Sequence, residues 1–296
     1  PTFTKSSISM TDMDYKKIDF DRELGGGKET YNHILGDWWY NRSNNSSHQH
    51  AYLKIADHMK SFFSGIPDKI IDYGCGAGNL LNHLYQHFPT SSLTGIDGSS
   101  MLLKEASKQL QHLDEKWEQR VELVETELPD FSLPLGKADL LVFAFPNIVP
   151  NPNKYEFDED FLKDEEFDVA EYLSKTREPN PEDETLNEDP ETIYDSLMTD
   201  RIISYNLRGL LKRGGICIRV EYANSEREEL TELAKQRLSF EEGSLQQPID
   251  GYRLQPFFAL LNSGYVESKV IEDVYHQTRD KDDKEGGYHL TTLHAL

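Results

Sequence analysis

The stretch Lys69-Ile-Ile-Asp-Tyr-Gly-Cys-Gly-Ala-Gly-Asn-Leu-Leu81 decides how the rest of this 296-residue chain is read. Its first five residues are typical of a short buried parallel strand. The glycines at 74, 76 and 78 then allow a tight turn that no side chain obstructs. Apolar residues at 80, 81, 84 and 88 follow with helical spacing. The stretch therefore predicts a strand, a glycine loop and a helix.

The glycine loop predicts a ligand site, because such a turn brings backbone N–H groups and a helix N-terminus close to a ligand. The order Asp72-x-Gly74-x-Gly76-x-Gly78 places an acid at the strand end, unlike the G-x-G-x-x-G pattern of dinucleotide sites. Asp72 would repel an anion and attract a cationic amino group. The pattern resembles motif I of the class I S-adenosylmethionine (SAM) methyltransferases. The resemblance implies that the three glycines approach the methionine half of SAM and that Asp72 interacts with its amino end.

A second acid follows at a matching place. Ser92 to Asp97 predicts another strand, and Asp97 lies 25 residues after Asp72. An acid at the end of a second strand can accept hydrogen bonds from both ribose hydroxyls. Gly98-Ser99-Ser100 comes next, and either serine is a good N-cap for the following helix. We predict that Asp97, Gly98 and Ser99 bind the cofactor. A glycine loop used only for packing would leave the two acids unexplained.

The remaining pattern predicts an α/β fold: a Rossmann-like seven-stranded sheet, mostly parallel with an antiparallel last strand, and helices on both faces. The further strands are predicted at residues 121–125, 138–145, 216–222, 265–275 and 288–296, and the further helices at 48–65, 101–117, 193–211, 225–240 and 252–261. The run Leu210 to Ile218 resembles the helix-to-strand junction of the same family. We predict an N-terminal lid or tail at 1–47 and a SAM-binding domain at 48–296. An acidic insertion on the substrate side is predicted at 151–192, after strand four.

An aromatic-rich, glycine-interrupted stretch runs from Met13 to Asn45 and carries more aromatics than a disordered tail would. We expect it to pack as a lid over the cofactor. The resemblance implies an aromatic residue against SAM and an arginine paired with its carboxylate, and Tyr40 and Arg42 are the candidates. Three lid aromatics are predicted to contact the substrate: Phe20, Trp38 and Trp39. The alternative is that the tryptophans form the core of the lid and that Arg42 is solvated.

The segment from Lys154 to Asp200 contains eighteen acidic residues and four basic ones, with aromatics between them. Aromatics among carboxylates can line a pocket for a cation. The alternative is a solvated amphipathic helix with a disordered tail. We predict that Phe161 and Leu162 contact the substrate, and that four residues position the acceptor: Phe145, Asn147, Tyr155 and Asp160. The order Phe145-Pro146-Asn147 departs from the motif that nucleic-acid amino methyltransferases carry at this place.

One further cofactor contact is implied by the resemblance. Members of the family often have an acid just past the third strand that binds the adenine amino group. Glu127 lies nearest to that position, and Glu125 is the rival.

Charge and composition exclude several classes of partner. The net charge of -22 repels phosphate backbones and anionic membranes and favours cationic substrates, so we predict no nucleic-acid and no membrane partner. The longest apolar run, Leu140 to Pro146, is too short to span a bilayer, and we expect a cytoplasmic protein. Cys75 and Cys217 are predicted to be buried, reduced thiols. The histidines show no ligand spacing, and we predict no metal.

These observations predict a SAM-dependent methyltransferase. Methyl transfer from a sulfonium needs proximity, a lone pair on the acceptor and exclusion of water, so no catalytic triad is required. The acid-rich composition suits an amine of a small molecule or a peptide natural product as the acceptor. Alternatives are an O-methyltransferase acting on a phenol, suggested by the aromatic lid, and a SAM-binding regulator without turnover.

A narrower resemblance concerns the substrate. The opening from Asp14 to Phe20, the Trp38-Trp-Tyr-x-Arg42 segment and the acidic stretch after strand four resemble the N-methyltransferases that dimethylate the N-terminal arginine of plantazolicin-type azole peptides. An acidic, aromatic tunnel would suit a guanidinium followed by flat heterocycles.

Overall fold

The computed structural model describes residues 32, 34–44, 46–62, 65–133, 137–145, 202–224, 257–267 and 286–296. The helices are α1 (Ile34–Ser43), α2 (Ser46–Phe62), α3 (Asn79–His87) and α4 (Ser100–Leu113), with a short 3-10 turn at Trp117–Gln119, and residues 202–210 are also helical. The strands are β1 (Lys69–Tyr73), β2 (Ser92–Asp97), β3 (Val121–Glu125), β4 (Ala138–Ala144), β5 (Leu211–Asn224), β6 (Phe258–Glu267) and β7 (Gly286–Ala295).

The strands form one seven-stranded sheet in the order β3-β2-β1-β4-β5-β7-β6. Strands β1 to β5 pair in parallel, and β7 pairs antiparallel with both β5 and β6. The predicted fold class is therefore confirmed. Strand β1 lies between β2 and β4, so the strand order reverses at its carboxyl end. Open α/β sheets bind ligands in the crevice at such a point.

Apolar side chains bury both faces of the sheet. On one face Ile55 and Met59 of α2 and Leu84 of α3 pack with Ile70 and Val142. The opposite face packs the helical residues 202–210 onto the sheet through a separate cluster, which includes Ile71, Leu141, Phe143, Ile203 and Leu207. Burial on both sides explains why β4 is apolar from Leu140 to Ala144, after Asp139 at its amino end. Polar side chains that could bind a ligand or take part in a reaction are therefore concentrated at the strand ends.

The C-terminal elements differ from the prediction. Residues 252–261 were expected to form a helix and 265–275 the sixth strand, but the structure has a strand at Phe258–Glu267. That strand pairs with β7, with Leu260 opposite Leu293 and Tyr265 opposite His289. The run from Phe257 to Leu261 is apolar at every position, so it carries no periodicity that separates a helix from a strand. Residues 252–256 and 268–275 lie outside the described part of the chain.

Strand β5 begins earlier than expected. Leu211 pairs with Ala138 and Ile216 pairs with Leu140, so residues 212–215 bulge out of the ladder. Gly214 has a positive φ of 73° in this bulge. The helix predicted at 193–211 therefore ends at residue 210, and residues 212–215 belong to the strand.

Several predicted regions lie outside the described residues: Phe20, most of the 1–47 lid, and the whole 151–192 insertion. Cys75 and Cys217 are buried and unpaired, as predicted. No helix in the described ranges is long and apolar enough to cross a membrane.

Candidate functional site

The glycine loop has the backbone conformation that its composition predicts. Gly74, Gly76 and Gly78 have φ values of 78°, 52° and 79°, in the left-handed region that favours glycine. The N–H groups of Gly74 and Cys75 both donate to the carbonyl of Ile96, at 2.8 and 2.9 Å. The loop is thereby fixed to the end of β2.

The third glycine also permits close packing of two helices. A Cβ on Gly78 would lie 2.8 Å from the Cβ of Ala106 in α4. Asn79, the next residue, begins α3. A side chain at position 78 would therefore force α3 and α4 apart.

Asp97 holds the two loops of the site together. Its Oδ2 accepts a hydrogen bond from Gly76 N at 2.8 Å, and its Oδ1 accepts one from Ser99 N at 2.8 Å. Burial raises the pKa of Asp97, and backbone N–H donors from Ser99, Gly76 and Gly98 oppose that rise. Each carboxylate oxygen keeps a second lone pair, so the side chain can still accept hydrogen bonds from a ligand's hydroxyl groups.

Asp72 has the opposite environment. Its side chain is 2% exposed, and its Oδ2 has no hydrogen-bond partner within the described ranges. Burial, and then the nearby charge of Asp97, raise its pKa to about 8. A buried ionised carboxylate without a partner is costly. A cationic hydrogen-bond donor from a ligand would supply what this oxygen lacks, and the α-ammonium group of SAM is such a donor.

Helix α1 covers the glycine loop through Trp39. The indole Nε1 of Trp39 lies 3.2 Å from the position that a Cβ on Gly76 would take. Tyr40 lies near Lys108 of α4. The pKa of Lys108 is raised mainly by Glu105 and to a smaller extent by Tyr40. Trp39 was predicted on the substrate side and Tyr40 on the cofactor side, and both roles stay predictions. The side chains of Trp38 and Arg42 lie outside the described part of the chain.

An aromatic cluster lies at the end of β4. It consists of Trp39, His48, Tyr52, Phe145 and Tyr288. The ring of Phe145 meets His48, Tyr52 and Tyr288 edge-on at centroid distances of 5.9, 6.1 and 6.1 Å. Burial, and then Asp72, raise the pKa of Tyr52, so this cluster adjoins the acidic site.

Phe145 also has an unusual backbone. Its φ of 51° is uncommon for a residue with a side chain, and its N–H donates to Val220 O at 2.7 Å. Strain of this kind is often found at functional sites. Phe145 follows β4 directly, so it lies at the carboxyl edge of the sheet. This position fits its predicted role beside the acceptor, which stays a prediction.

The third strand ends beside Asp97. Glu125, its last residue, pairs in register with Asp97, and Thr126 N donates to Asp97 O at 3.0 Å. Glu125 and Glu127 are both exposed, so the choice between them as the adenine contact stays open. The other predicted acceptor and substrate residues lie outside the described ranges: Asn147, Tyr155, Asp160, Phe161 and Leu162.

The structure adds polar contacts that no sequence pattern predicts. Asn32 Oδ1 accepts hydrogen bonds from Ser99 Oγ and Ser100 Oγ at 3.2 Å and from Met101 N at 3.3 Å. Ser99 itself is the N-cap of α4, which resolves the choice between the two serines. No local pattern marks Asn32, because its partners lie almost 70 residues away.

A second network of polar side chains joins α1, α2 and α3. Asn79 Nδ2 donates to Ser43 Oγ at 2.9 Å, and Gln49 Nε2 donates to Asn79 Oδ1 at 2.7 Å and to Ser43 O at 3.1 Å.

Within the described ranges, no group of three or more His, Cys, Asp and Glu side chains is placed to hold a metal ion.

Comparison with known proteins agrees with this geometry. Residues 70–159 match a family model described as a methyltransferase domain. The trans-aconitate 2-methyltransferase of Streptomyces avermitilis is 33% identical over 66 residues, which cover 19% of this chain and 24% of that enzyme. This chain therefore matches about a quarter of the length of its curated relative.

Two solved structures are similar at low identity. The N-methyltransferase NodS from Bradyrhizobium japonicum, in complex with S-adenosyl-L-homocysteine, is 14% identical, with a TM-score of 0.47 and coverage of 90% of this chain and 96% of that chain. The magnesium protoporphyrin IX methyltransferase from Synechocystis with bound SAM is 13% identical, with a TM-score of 0.46 and coverage of 89% and 94%. Similarity at this level says nothing about what this chain acts on.

The family match confirms the resemblance to the class I methyltransferases for residues 70–159, with SAM as the cofactor of that domain. The matched segment contains Asp72, the glycine loop, Asp97 and strands β3 and β4.

Proposed function

We propose that this protein transfers a methyl group from SAM to an amine of a small molecule or of a peptide natural product. One observation carries the proposal: the buried carboxylate of Asp72, one oxygen of which has no partner among the described residues, lies beside a second carboxylate, Asp97, at the point where the strand order reverses. A nucleoside with a cationic amino-acid tail has groups that fit both acids.

The described residues divide the work of binding. Asp97 is suited to the ribose hydroxyls, because both of its oxygens are already oriented by backbone donors. Asp72 is suited to the α-ammonium group, since its Oδ2 lacks a donor. The three glycines leave the backbone bare for close approach. Gly98 and Ser99 shape the adjoining loop, and Trp39 excludes water from one side.

SAM supplies an electrophilic methyl group on a positively charged sulfur. In the proposed reaction the lone pair of a neutral amine forms the new N–C bond while the S–C bond breaks and its electron pair stays on sulfur. The products are the methylated amine and the thioether S-adenosylhomocysteine. The amine loses one proton to water or to a neighbouring base. Positioning accounts for most of the catalysis in such a displacement.

Charge supports an amine acceptor. The chain has 53 acidic residues and 31 basic ones, and the site itself contains two carboxylates at adjacent strand ends. A negative field concentrates cations and disfavours carboxylate substrates. We extend the proposal to a cationic substrate held between the 1–47 lid and the 151–192 insertion. The N-terminal arginine of an azole-containing peptide is a specific case.

The site residues named from the sequence belong to the same proposal. Glu127, Tyr40 and Arg42 would complete the cofactor site. Phe145, Asn147, Tyr155 and Asp160 would position the acceptor, with Phe20, Trp38, Trp39, Phe161 and Leu162 against the substrate. A cytoplasmic location is also proposed, and two buried, unpaired cysteines are in keeping with a reducing compartment.

A phenolic acceptor is the second candidate. The aromatic cluster around Phe145 favours it, because edge-on aromatic contacts suit a flat substrate ring. An O-methyltransferase would need the same cofactor site, so only the acceptor distinguishes the two functions.

Methyl transfer from labelled SAM to a panel of acceptors tests the proposal. The panel pairs arginine-bearing peptides and simple amines with their neutral acylated analogues and with phenols. We expect label on the amines alone. Label on phenols alone would favour the second candidate, and SAM binding without any transfer would favour a regulator.

Calorimetry with S-adenosylhomocysteine tests the cofactor site. Asp97→Asn should weaken binding by about tenfold or more, because it replaces one charged acceptor that orients both loops. Asp57→Asn is the matched control, since Asp57 lies exposed on α2, away from the glycine loop, and its carboxylate pairs with His87 at 3.0 Å. If Asp97→Asn bound S-adenosylhomocysteine as tightly as the wild type, the assignment of Asp97 to the ribose would be rejected.

A further inference from the structure

The described part of the N-terminal segment is attached at two points, one on each loop of the cofactor site. Asn32 is bonded to the start of α4, next to Asp97. Ser43, the last residue of α1, is bonded to the start of α3, directly after Gly78. Trp39 lies between these attachments along the chain and covers Gly76.

The second attachment, between Ser43 and Asn79, is buried, and each of its hydrogen bonds has a defined donor and acceptor. Ser43 is 1% exposed and Asn79 is 4% exposed. The side-chain amide of Asn79 uses both of its ends, because it donates to Ser43 Oγ and accepts from Gln49 Nε2. Gln49 then donates to the carbonyl of Ser43 as well. We call Ser43, Gln49 and Asn79 the latch.

The latch connects α1 to the glycine loop through a single residue. Asn79 is the first residue of its helix, α3, and its neighbour Gly78 packs so closely on α4 that an added Cβ would lie 2.8 Å from the Cβ of Ala106. Ser43 closes α1, four residues after Trp39. The position of the indole over Gly76 therefore depends on bonds that converge on Asn79.

We propose that Asn79 is a positioning residue that acts through Ser43 and Gln49 to hold Trp39 over the glycine loop, so that release of the latch controls how fast SAM and its product exchange. This inference rests on the proposed function, since it concerns the same cofactor site. It assigns Asn79 no contact with the reacting atoms. Its effect is on residence time, because a nucleoside can leave only when α1 moves away.

The size of the effect follows from the bonds that are lost. Asn79→Ala removes one donor and one acceptor and leaves Gln49 and Ser43 with unsatisfied groups at a buried position. Such a loss corresponds to about a tenfold change in an equilibrium or a rate. The open form of α1 should therefore be populated about tenfold more often.

A chase of labelled S-adenosylhomocysteine from the full-length protein tests the latch. Asn79→Ala should release the label about tenfold faster than the wild type, and KM for SAM should rise while kcat stays within about twofold. Asn82→Ala is the matched control. Asn82 lies one turn further along α3, and its amide bonds to Gln109 of α4 rather than to α1.

A second pair of variants separates a latch from general loosening. Ser43→Ala should also speed release, and the double variant Ser43→Ala/Asn79→Ala should be no faster than Asn79→Ala alone, because both remove the same bond. If Asn79→Ala fails to fold, Asn79→Asp keeps the acceptor for Gln49 but loses the donor to Ser43, and its release rate should lie between those of the other proteins.

Release rates of Asn79→Ala and Asn79→Asp equal to those of the wild type or of Asn82→Ala would overturn the inference. Failure of the proposed function looks different: the wild type itself would then hold no labelled nucleoside. Tight binding by the wild type with unchanged rates in the latch variants would retain the cofactor site and reject only the latch.

Discussion

Asp72 and Asp97 are the same residue type at the ends of neighbouring strands, yet the fold treats them differently. Backbone N–H groups of Gly76 and Ser99 satisfy both oxygens of Asp97. One oxygen of Asp72 has no donor in the described structure, and its pKa is raised to about 8. A protein that kept Asp72 only for stability would lose nothing by replacing it with a neutral group. Ligand binding explains its presence.

Asp72 predicts a pH dependence whose sign can be worked out. The folded pKa of Asp72, about 8, exceeds the ordinary value of 3.8 for an aspartate in an unfolded chain, so its contribution to stability is complete below about pH 3.8 and is lost as the pH rises toward 8. A cationic ligand favours the carboxylate and lowers this pKa. Binding between these pH values should therefore release a proton, and affinity should increase with pH up to about 8.

Calorimetry of S-adenosylhomocysteine at about pH 6.5, in two buffers of different ionisation enthalpy, measures that proton. The wild type should release close to one proton and Asp72→Asn should release none from this position. The same substitution should raise the Tm of the ligand-free protein, because its unfolded chain no longer gains by ionising residue 72. Equal proton release by both proteins would contradict the assignment of Asp72.

Asp72 and Asp97 could be identified from the sequence, because each lies at the end of a strand that the neighbouring residues already predict. The sequence did not identify Asn32, Gln49 or Asn79, whose bonds join residues 30 or more positions apart in most cases. It predicted that Trp39 contacts the substrate; the structure places the indole Nε1 3.2 Å from the position that a Cβ on Gly76 would take, and the substrate contact stays a prediction. Which side of α1 faces the loop depends on tertiary contacts that no short pattern encodes.

Among the elements, the packing of α3 on α4 depends on Gly78. Gly78→Ala places a Cβ 2.8 Å from Ala106 and requires a side chain at a φ of 79°. We expect the free energy of unfolding to fall by about 2–4 kcal/mol, from left-handed strain and overpacking together. Urea denaturation measures this change.

Gly209→Ala is the control for that substitution. Gly209 lies in helical residues 202–210, its added Cβ would meet nothing within 4 Å, and it carries no positive φ. Alanine at a compatible helical position stabilises slightly. If Gly209→Ala lowered the free energy of unfolding as much as Gly78→Ala does, the contact with Ala106 would not be the cause of the destabilisation.

Elements differed in how well the sequence predicted them, for physical reasons. The β1–α3 unit was predicted closely, because a strand, three glycines and a helical stripe are all local signals. The first part of β6, residues 258–261, was predicted as the end of a helix, since its strand conformation is imposed by pairing with β7, about 30 residues later. Helix α1 was expected only as part of a lid, because its sequence has no one-sided apolar stripe and its position depends on the latch.

At the scale of the whole molecule, the two edges of the sheet handle acids differently. At the amino edge Asp139 accepts hydrogen bonds from the N–H groups of Asp68 and Lys69 and pairs with Lys212 at 2.6 Å. At the carboxyl edge one oxygen of Asp72 has no donor among the residues that the structure describes. This contrast within a single sheet supports our proposal that the ligand binds at the carboxyl edge, where the strand order reverses.

The net charge of -22 also bears on the substrate, because a negatively charged protein attracts cations. Composition predicted a cationic acceptor, and that acceptor stays a proposal, because Asp72 and Asp97 are proposed to bind the cofactor and not the acceptor. The fold class followed from the order of elements. We predict that residues 151–192 form part of the acceptor pocket, and for them the prediction rests on sequence alone.

A crystal structure of the full chain with S-adenosylhomocysteine tests the central claim most directly. The account predicts density for the nucleoside across the Gly74–Gly78 turn, with both ribose hydroxyls on Asp97, the α-ammonium group at Asp72 and the indole of Trp39 closing one side. Density at any other edge of the sheet, or a nucleoside that leaves Asp72 and Asp97 without contact, would contradict it.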